Sequence, residues 1–275
     1  MTDYELRDID FSKISQLVYE QCGIHLHEGK KQLVKTRLGK RLRGGNFKSF
    51  ADYYKFVTTE KGTDELIGMI DSISTNLTRF FREEDHFTLL NKILPEIIAD
   101  QSTNAGVSKL RIWCAGCSTG EEPYSIAITL KEVLKNDNVN LKILATDIST
   151  KVLKTAMAGV YPYDRVKNIS PPLVRKYFQI GEGRWKGYYR VKKTQKDLVE
   201  FARFNLMDRP SFGDTFDIIF CRNVMIYFDK KTQHGLINRF YDCIKDGGYL
   251  FIGHSESLTG ITHLFNYVKP SVYRK

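Results

Sequence analysis

The chain has 275 residues, of which 42% are hydrophobic, 27% charged and 12% aromatic, the mix of a folded globular protein rather than a disordered or collagen-like one. Its net charge of +10 points to an anionic partner or substrate. No apolar run approaches the ~20 residues of a membrane span, and the acidic start Met1–Glu5 lacks the apolar core of a secretory signal.

In chain order, the first unit is helical. Residues 1–28 carry six acids and two bases, whereas residues 29–50 carry eight bases and no acid. Within the basic stretch, Leu33, Val34, Leu38 and Leu42 keep near-helical spacing up to Gly44-Gly45. This predicts an amphipathic helix over 29–43 with a basic face. Helices are also expected over 11–26, 48–58 and 63–73, so residues 1–75 read as an all-α domain. Residues 76–109 would form a linker and a joining helix.

From residue 110 strands and helices alternate. A strand at Leu110–Cys114 leads into the small-residue loop Ala115–Gly120 and a helix over 121–135. Leu141–Asp147 is a second strand, followed by a helix over 149–158. Further strands are expected at 199–204, 216–221 and 248–253, with a helix at 230–245 and an antiparallel edge pair in 264–274. This alternation implies an α/β fold built on a parallel sheet. Residues 165–197 interrupt it with clustered glycines and aromatics, read as a short antiparallel insertion. Residues 165–196 hold ten bases and one acid, a second basic surface.

The chemistry concentrates in the pattern strand, glycine loop, helix, strand, acid. A loop opening a helix offers backbone N–H groups and close approach to a ligand. An acid ending the second strand suits ribose hydroxyls. Gly116, Gly120 and Asp147 fit these roles. The loop matches neither G-x-G-x-x-G nor G-x-x-x-x-G-K-[ST]. It runs instead into Glu121-Glu122, carboxylates that repel a pyrophosphate and suit a cationic ligand. That favours S-adenosylmethionine over a dinucleotide, although acids at a helix start also complement its dipole. Five cysteines, an odd number, indicate no disulfide framework and fit reduced thiols in the cytoplasm. Cys114-x-x-Cys117 has no second pair, and the six histidines show no ligand spacing, so no metal is expected. His254–Ser257 follows a strand end, where it fits either a channel wall or a cap.

The run Cys114–Ser125 is similar to the nucleotide-loop signature of the CheR family of chemotaxis receptor methyltransferases. Thr75–Arg82, Ala145–Ile148, Phe204–Leu206 and Cys221–Asp229 resemble four further motifs of that family, in the same order. The resemblance covers essentially the whole chain. It implies a class I S-adenosylmethionine-dependent methyltransferase (Rossmann-like) sheet over 110–275, an N-terminal all-α domain and a small inserted antiparallel β-subdomain. The implied activity is methyl-ester formation on glutamate side chains of chemoreceptors, with S-adenosylhomocysteine as product. By the same resemblance Asn76, Thr78, Arg82, Gly116, Asp147, Asn205, Leu206, Arg222 and Asn223 bind the cofactor. Glu121 or Glu122 meets its methionine moiety, and the choice between them stays open. Arg82 and Tyr227 border the methyl-transfer centre. Arg79 or Arg82 would hold the acceptor carboxylate. The implied partners are cytoplasmic helical domains of chemoreceptors, met by the basic helix 29–43, with the β-subdomain as a second candidate surface. The enzyme is expected to be a cytoplasmic monomer without membrane insertion.

Two other classes compete. A nucleic-acid methyltransferase fits the charge, but Arg222-Asn223-Val224-Met225 stands where base methylation usually carries D/N-P-P-Y/F or P-C, and no stacking platform for a flipped base is evident. A non-catalytic cofactor sensor would keep the fold without turnover. Neither is favoured over protein methylation.

Overall fold

A computed structural model describes residues 4–102, 108–134 and 139–275. The first helices are α1 (Asp8–Cys22), α2 (Lys31–Gly44), α3 (Phe50–Val57) and α4 (Thr63–Ile73). They enclose a core in which Val34, Leu38 and Leu42 of α2 are fully buried, at the four-residue spacing seen in the sequence. Ser49 caps α3 by accepting from the Asp52 N–H. Arg41 of α2 forms a two-pronged ion pair with Glu65 of α4, both N–O distances being 2.6 Å.

Two expectations for this unit are corrected. The helix expected over 11–26 stops at Cys22, because Gly23 adopts a left-handed conformation (φ 73°) and terminates it. Residues after it run extended, and Ile24 bridges Phe228 in the second half of the chain. The basic helix begins at Lys31, after a 3-10 turn at Glu28–Lys30.

Helix α5 (Glu84–Ser102) leads into the sheet strands β1 (Ser108–Ala115) and β2 (Val139–Asp147), with α6 (Glu121–Val133) between them. Residue 135, expected at the end of α6, lies outside the described residues. Helix α7 (Thr150–Ala158) follows β2, and Gly159 (φ 60°) ends it. The chain then makes β3 (Val160–Pro162), the short turn α8 (Tyr163–Val166), α9 (Pro171–Tyr177), β4 (Phe178–Ile180), β5 (Tyr188–Val191) and α10 (Lys193–Lys196). Strands β3, β5 and β4 form the antiparallel insertion, in that order. Its first strand therefore lies upstream of residue 165.

The remaining elements are β6 (Val199–Arg203), β7 (Phe216–Cys221), α11 (Lys230–Cys243), β8 (Ile244–Ile252), β9 (Asn266–Lys269) and β10 (Val272–Arg274). The main sheet has seven strands in the order β6-β2-β1-β7-β8-β10-β9, parallel except for the β10 pairings at the edge. Every residue of β7 is buried, as a central parallel strand requires. Helix α11 ends two residues early and β8 starts four residues early relative to the sequence reading. The register jumps between Phe216 and Ile218, which lets the strand run through Gly247-Gly248. A Cβ on Gly248 would sit 2.7 Å from the Asp217 carbonyl oxygen, so only glycine fits that crossing.

Candidate active site

The carboxyl ends of β1, β2 and β7 open into a cavity whose far wall comes from the N-terminal helical unit. This is where a parallel sheet binds ligands. Gly116 follows β1 at φ 87°, and a Cβ there would meet Val224 Cγ2 at 2.4 Å. The loop then folds back on β2: the Gly116 and Cys117 N–H groups both donate to the Thr146 carbonyl at 2.8 Å. Asp147 anchors the loop from beneath. Its two oxygens accept from the N–H groups of Ser118 (2.8 Å) and Ser149 (2.9 Å). Burial pushes its carboxyl pKa upward against those hydrogen bonds.

Helix periodicity separates the two acids that begin α6. Glu122 faces the cavity, whereas Glu121 does not line it. Glu121 is fully buried on another side, accepting from Thr119 Oγ1 (2.6 Å) and Arg165 Nη1 (3.2 Å). The same Arg165 nitrogen donates to the Thr78 carbonyl at 2.8 Å, so Glu121 supports the wall at one remove.

Residues 74–82 form a strap across the mouth. Asn76, Thr78 and Arg82 line the cavity, and Ser118 Oγ donates to the Asn76 carbonyl at 3.0 Å. Arg79 does not join them. Phe80 is buried edge-on against Tyr161 and Phe178, and its neighbour Arg79 is left exposed outside the cavity. Arg79 makes no ion pair with a described residue. Asn205, Leu206, Arg222, Asn223 and Tyr227 all reach the cavity. Asn205 Nδ2 also ties the sheet to α1 through the Gln21 carbonyl (2.7 Å). Tyr227 is half-buried, and its carbonyl accepts from the His25 N–H at 2.8 Å.

Arg222 is the electrostatic centre. Its side chain is 1% exposed, donates to Glu122 (2.8 Å) and Glu83 (2.9 Å), and also bonds the Arg82 carbonyl. Glu83 accepts further bonds from Asn223 Nδ2 (3.4 Å) and the His254 N–H (3.2 Å). Burial raises the Glu83 pKa, but the Arg222 guanidinium outweighs it and holds the carboxyl below its ordinary value. Glu83, His86 and His254 place three potential ligand atoms within 4.8 Å of one another. Both oxygens of that carboxylate already accept hydrogen bonds, with the Arg222 guanidinium at 2.9 Å as the charged donor. The cluster therefore works as a carboxylate anchor for Arg222. Glu256 is a loop cap, not a channel wall, accepting from the N–H groups of Gly253 (2.6 Å), Asn223 (2.9 Å) and Ile226 (3.2 Å). Cys114 donates to Glu122 at 3.0 Å, and burial pushes the Cys114 and Cys117 thiols well above the usual range. They stay neutral packing groups.

Sequence reasoning missed the wall contributed by Ile24, His25, Leu26, Lys30 and Leu33, and missed Glu83 as an anchor. The first group carries no local motif, since long-range contacts such as the Ile24–Phe228 bridge and the His25–Tyr227 hydrogen bond bring it to the cavity.

The donor set fits S-adenosylmethionine: an open glycine turn, an acid after β2 for a ribose, and Glu122 for a cationic methionine end. The sheet order and this cavity define a class I S-adenosylmethionine-dependent methyltransferase. Comparison with known families gives the narrower answer. Residues 76–274 match the "CheR methyltransferase, SAM binding domain" and residues 9–74 the "CheR methyltransferase, all-alpha domain". The chain belongs to the CheR methyltransferase family. It is 46% identical to a chemotaxis protein methyltransferase of Borreliella burgdorferi, covering 97% of this chain and 94% of the relative. Identity is 39% to the Escherichia coli chemotaxis protein methyltransferase (98% and 91% covered). It is 42% to chemotaxis protein methyltransferase 2 of Pseudomonas aeruginosa (96% and 92% covered). No described helix is long and apolar enough to cross a membrane.

Proposed function

We propose that this enzyme methylates glutamate side chains of chemoreceptors, forming methyl esters in chemotaxis, with Asp147 on the cofactor ribose and Glu122 on the methionine ammonium. The observation that carries the reading is one cavity in which those two acids share walls with Arg82 and Tyr227. S-adenosylmethionine supplies a methyl group on a sulfonium leaving group. A glutamate carboxylate, with an unperturbed pKa of about 4.3, is already ionised at neutral pH and needs no general base. The protein's task is then alignment and desolvation. Arg82 steers the acceptor carboxylate, and Tyr227 walls the transfer path. The contact from Arg82 must be partial, because a tight grip would stabilise the ground state as much as the transition state. Arg79, the other arginine expected at the acceptor carboxylate, is exposed outside the cavity, so Arg82 is the better placed of the two. We divide the chain into a helical domain 1–75, a joining segment 76–109 and the catalytic domain 110–275. Nucleic acid is not favoured as acceptor.

The test uses methyl-labelled S-adenosylmethionine and a purified chemoreceptor signalling fragment, followed by mild base. Label released as volatile methanol establishes the carboxyl ester. Cofactor binding without base-labile label on the fragment sinks the glutamate reading.

The basic face of α2 is the proposed docking surface for acidic receptor helices, but not all of its cations are available. Arg37 donates to the Ser74 carbonyl (3.1 Å) and Thr75 Oγ1 (3.2 Å), so it holds the strap. Arg41 is engaged by Glu65. Lys40 and Arg43 are exposed. The double variant Lys40→Glu, Arg43→Glu is expected to lower kcat/KM for receptor about tenfold at ~0.1 M salt, where the screening length is roughly 10 Å. Cofactor affinity should not change. Methylation that keeps its rate and its salt dependence in the variant removes α2 as the docking face.

A further inference from the structure

We propose that Glu83 is a positioning residue for methyl transfer: through Arg222 it holds the 76–82 strap, and with it Arg82, in place at the cavity. The inference rests on the methyl-transfer reading above for its activity arm alone.

Glu83 does not line the cavity, while Arg222 and Asn223, which donate to its carboxylate, do. One guanidinium, on the loop after β7, joins the start of α6 to the end of the strap and to Glu83 just after it. Arg222 Nη1 reaches Glu122 on α6, and Nη2 reaches both the Glu83 carboxylate and the Arg82 carbonyl on the strap. The arginine beside the proposed transfer centre is thus gripped by its own peptide group. Glu83 also accepts from Asn223 Nδ2 and from the His254 backbone, which adds the loops after β7 and β8 to the clasp.

The backbone is bent to make this contact. Phe81 (φ 52°) and Glu83 (φ 59°) both occupy the left-handed region, which for residues with a Cβ is retained only where the surroundings over-determine it. The Phe81 N–H is held by Ser125 Oγ at 2.9 Å, fixing the strap just ahead of Arg82. Behind Glu83 stands His86, whose side chain is 1% exposed and whose Nδ1 lies 3.6 Å from the carboxylate. It closes that side to water, so the charge is balanced by Arg222 at 2.9 Å and, at the longer distance of 4.0 Å, by Nε of Arg82 itself, a direct contact that adds to the hold on Arg82.

The carboxylate also divides Arg222 between two acids. If Glu83 is neutralised, the guanidinium keeps Glu122 as its charged partner among the described residues and loses the anion that holds it next to the strap. Glu83→Gln preserves the side-chain size and removes the charge. The strap should then loosen, and Arg82 should lose its fixed position.

Two measurements on the full chain decide this. The first is hydrogen exchange over residues 76–82 in the protein loaded with S-adenosylmethionine. Exchange there should speed up about tenfold or more in Glu83→Gln, with Glu83→Asp restoring most of the protection. The second is receptor methylation. The kcat of Glu83→Gln should fall about thirtyfold, while the calorimetric Kd for cofactor changes less than threefold, and Glu83→Asp should recover most of the rate. Unchanged strap exchange overturns the inference whatever the acceptor proves to be. So does a rise in cofactor Kd with kcat preserved, since Glu83 would then serve the cofactor and not the strap. If Glu83→Gln does not fold, Arg222→Lys, whose single ammonium cannot reach Glu122, Glu83 and the Arg82 carbonyl together, must speed strap exchange, and wild-type protection in it overturns the inference. Wild-type protein that forms no base-labile ester defeats the glutamate reading alone, and the exchange experiment still decides the clasp.

Discussion

Replacing Arg222 with methionine is expected to destabilise the protein by about 3–5 kcal/mol, the range for removing one partner of a buried ion pair. The size follows from what is left behind. Glu83 and Glu122 have side chains only 12% exposed, and both would lose the Arg222 guanidinium, which leaves Glu83 only the longer 4.0 Å contact from Arg82 among the described residues. Methionine fills much of the same volume, so the loss reports charge and not a cavity. The pH dependence separates the two causes. The folded Glu83 pKa is depressed, so its contribution is present above the ordinary carboxylate pKa and is lost as pH falls through the folded value. In the variant the Glu83 carboxyl, without the Arg222 guanidinium, accepts a proton more readily. The stability gap between wild type and variant should therefore be largest near pH 7 and should narrow as pH falls below about 4.5. Urea unfolding at both pH values measures it. A gap of constant size would assign the loss to packing.

The reach of the sequence can be judged against particular residues. Asp147 and Gly116 were legible because their roles are local: a turn after a strand, and an acid at the end of the next. The parallel sheet was legible because strands and helices alternate at regular spacing. Its small insertion was legible from glycine and aromatic clustering, although β3 starts at Val160, upstream of the compositional change. The choice between Glu121 and Glu122 was not legible. Adjacent helical positions differ only in direction, and direction is set by what each face meets. Glu121 meets Arg165 from the insertion, a partner 44 residues away. Arg37 looks like any other base of a cationic face, yet it caps carbonyls after α4. The apolar wall of Ile24, Leu26 and Leu33 was invisible for the same reason. Its role depends on the helical unit folding over the sheet.

The same geometry makes the cofactor prediction sharp. Asp147→Ala is expected to raise the Kd for S-adenosylmethionine about a hundredfold or more, equivalent to roughly 2.7 kcal/mol. Each Asp147 oxygen accepts one backbone N–H, from Ser118 or Ser149, and a carboxylate oxygen retains capacity for a further donor. Two ribose hydroxyls would use that capacity. Hydrogen bonds to a charged group contribute about 1.5–3 kcal/mol each, so the loss of both accounts for the expected effect. Alanine also releases the Ser118 N–H that shapes the loop, so Asp147→Asn is the companion variant. It keeps the size, but its NH₂ must face a backbone donor, and it should lose nearly as much affinity. The sign of the pH effect gives a second check. Burial raises the Asp147 pKa in the free protein, while hydroxyl donors favour its ionised form. Cofactor binding should therefore be linked to proton release as pH falls toward the carboxylate range, and wild-type affinity should weaken there. In Asp147→Ala this group's part of the pH dependence should vanish. Calorimetry over that range, with the melting temperature of each free protein measured in parallel, reads both effects. A Kd within threefold of wild type in a folded Asp147→Ala protein would remove Asp147 from the ribose.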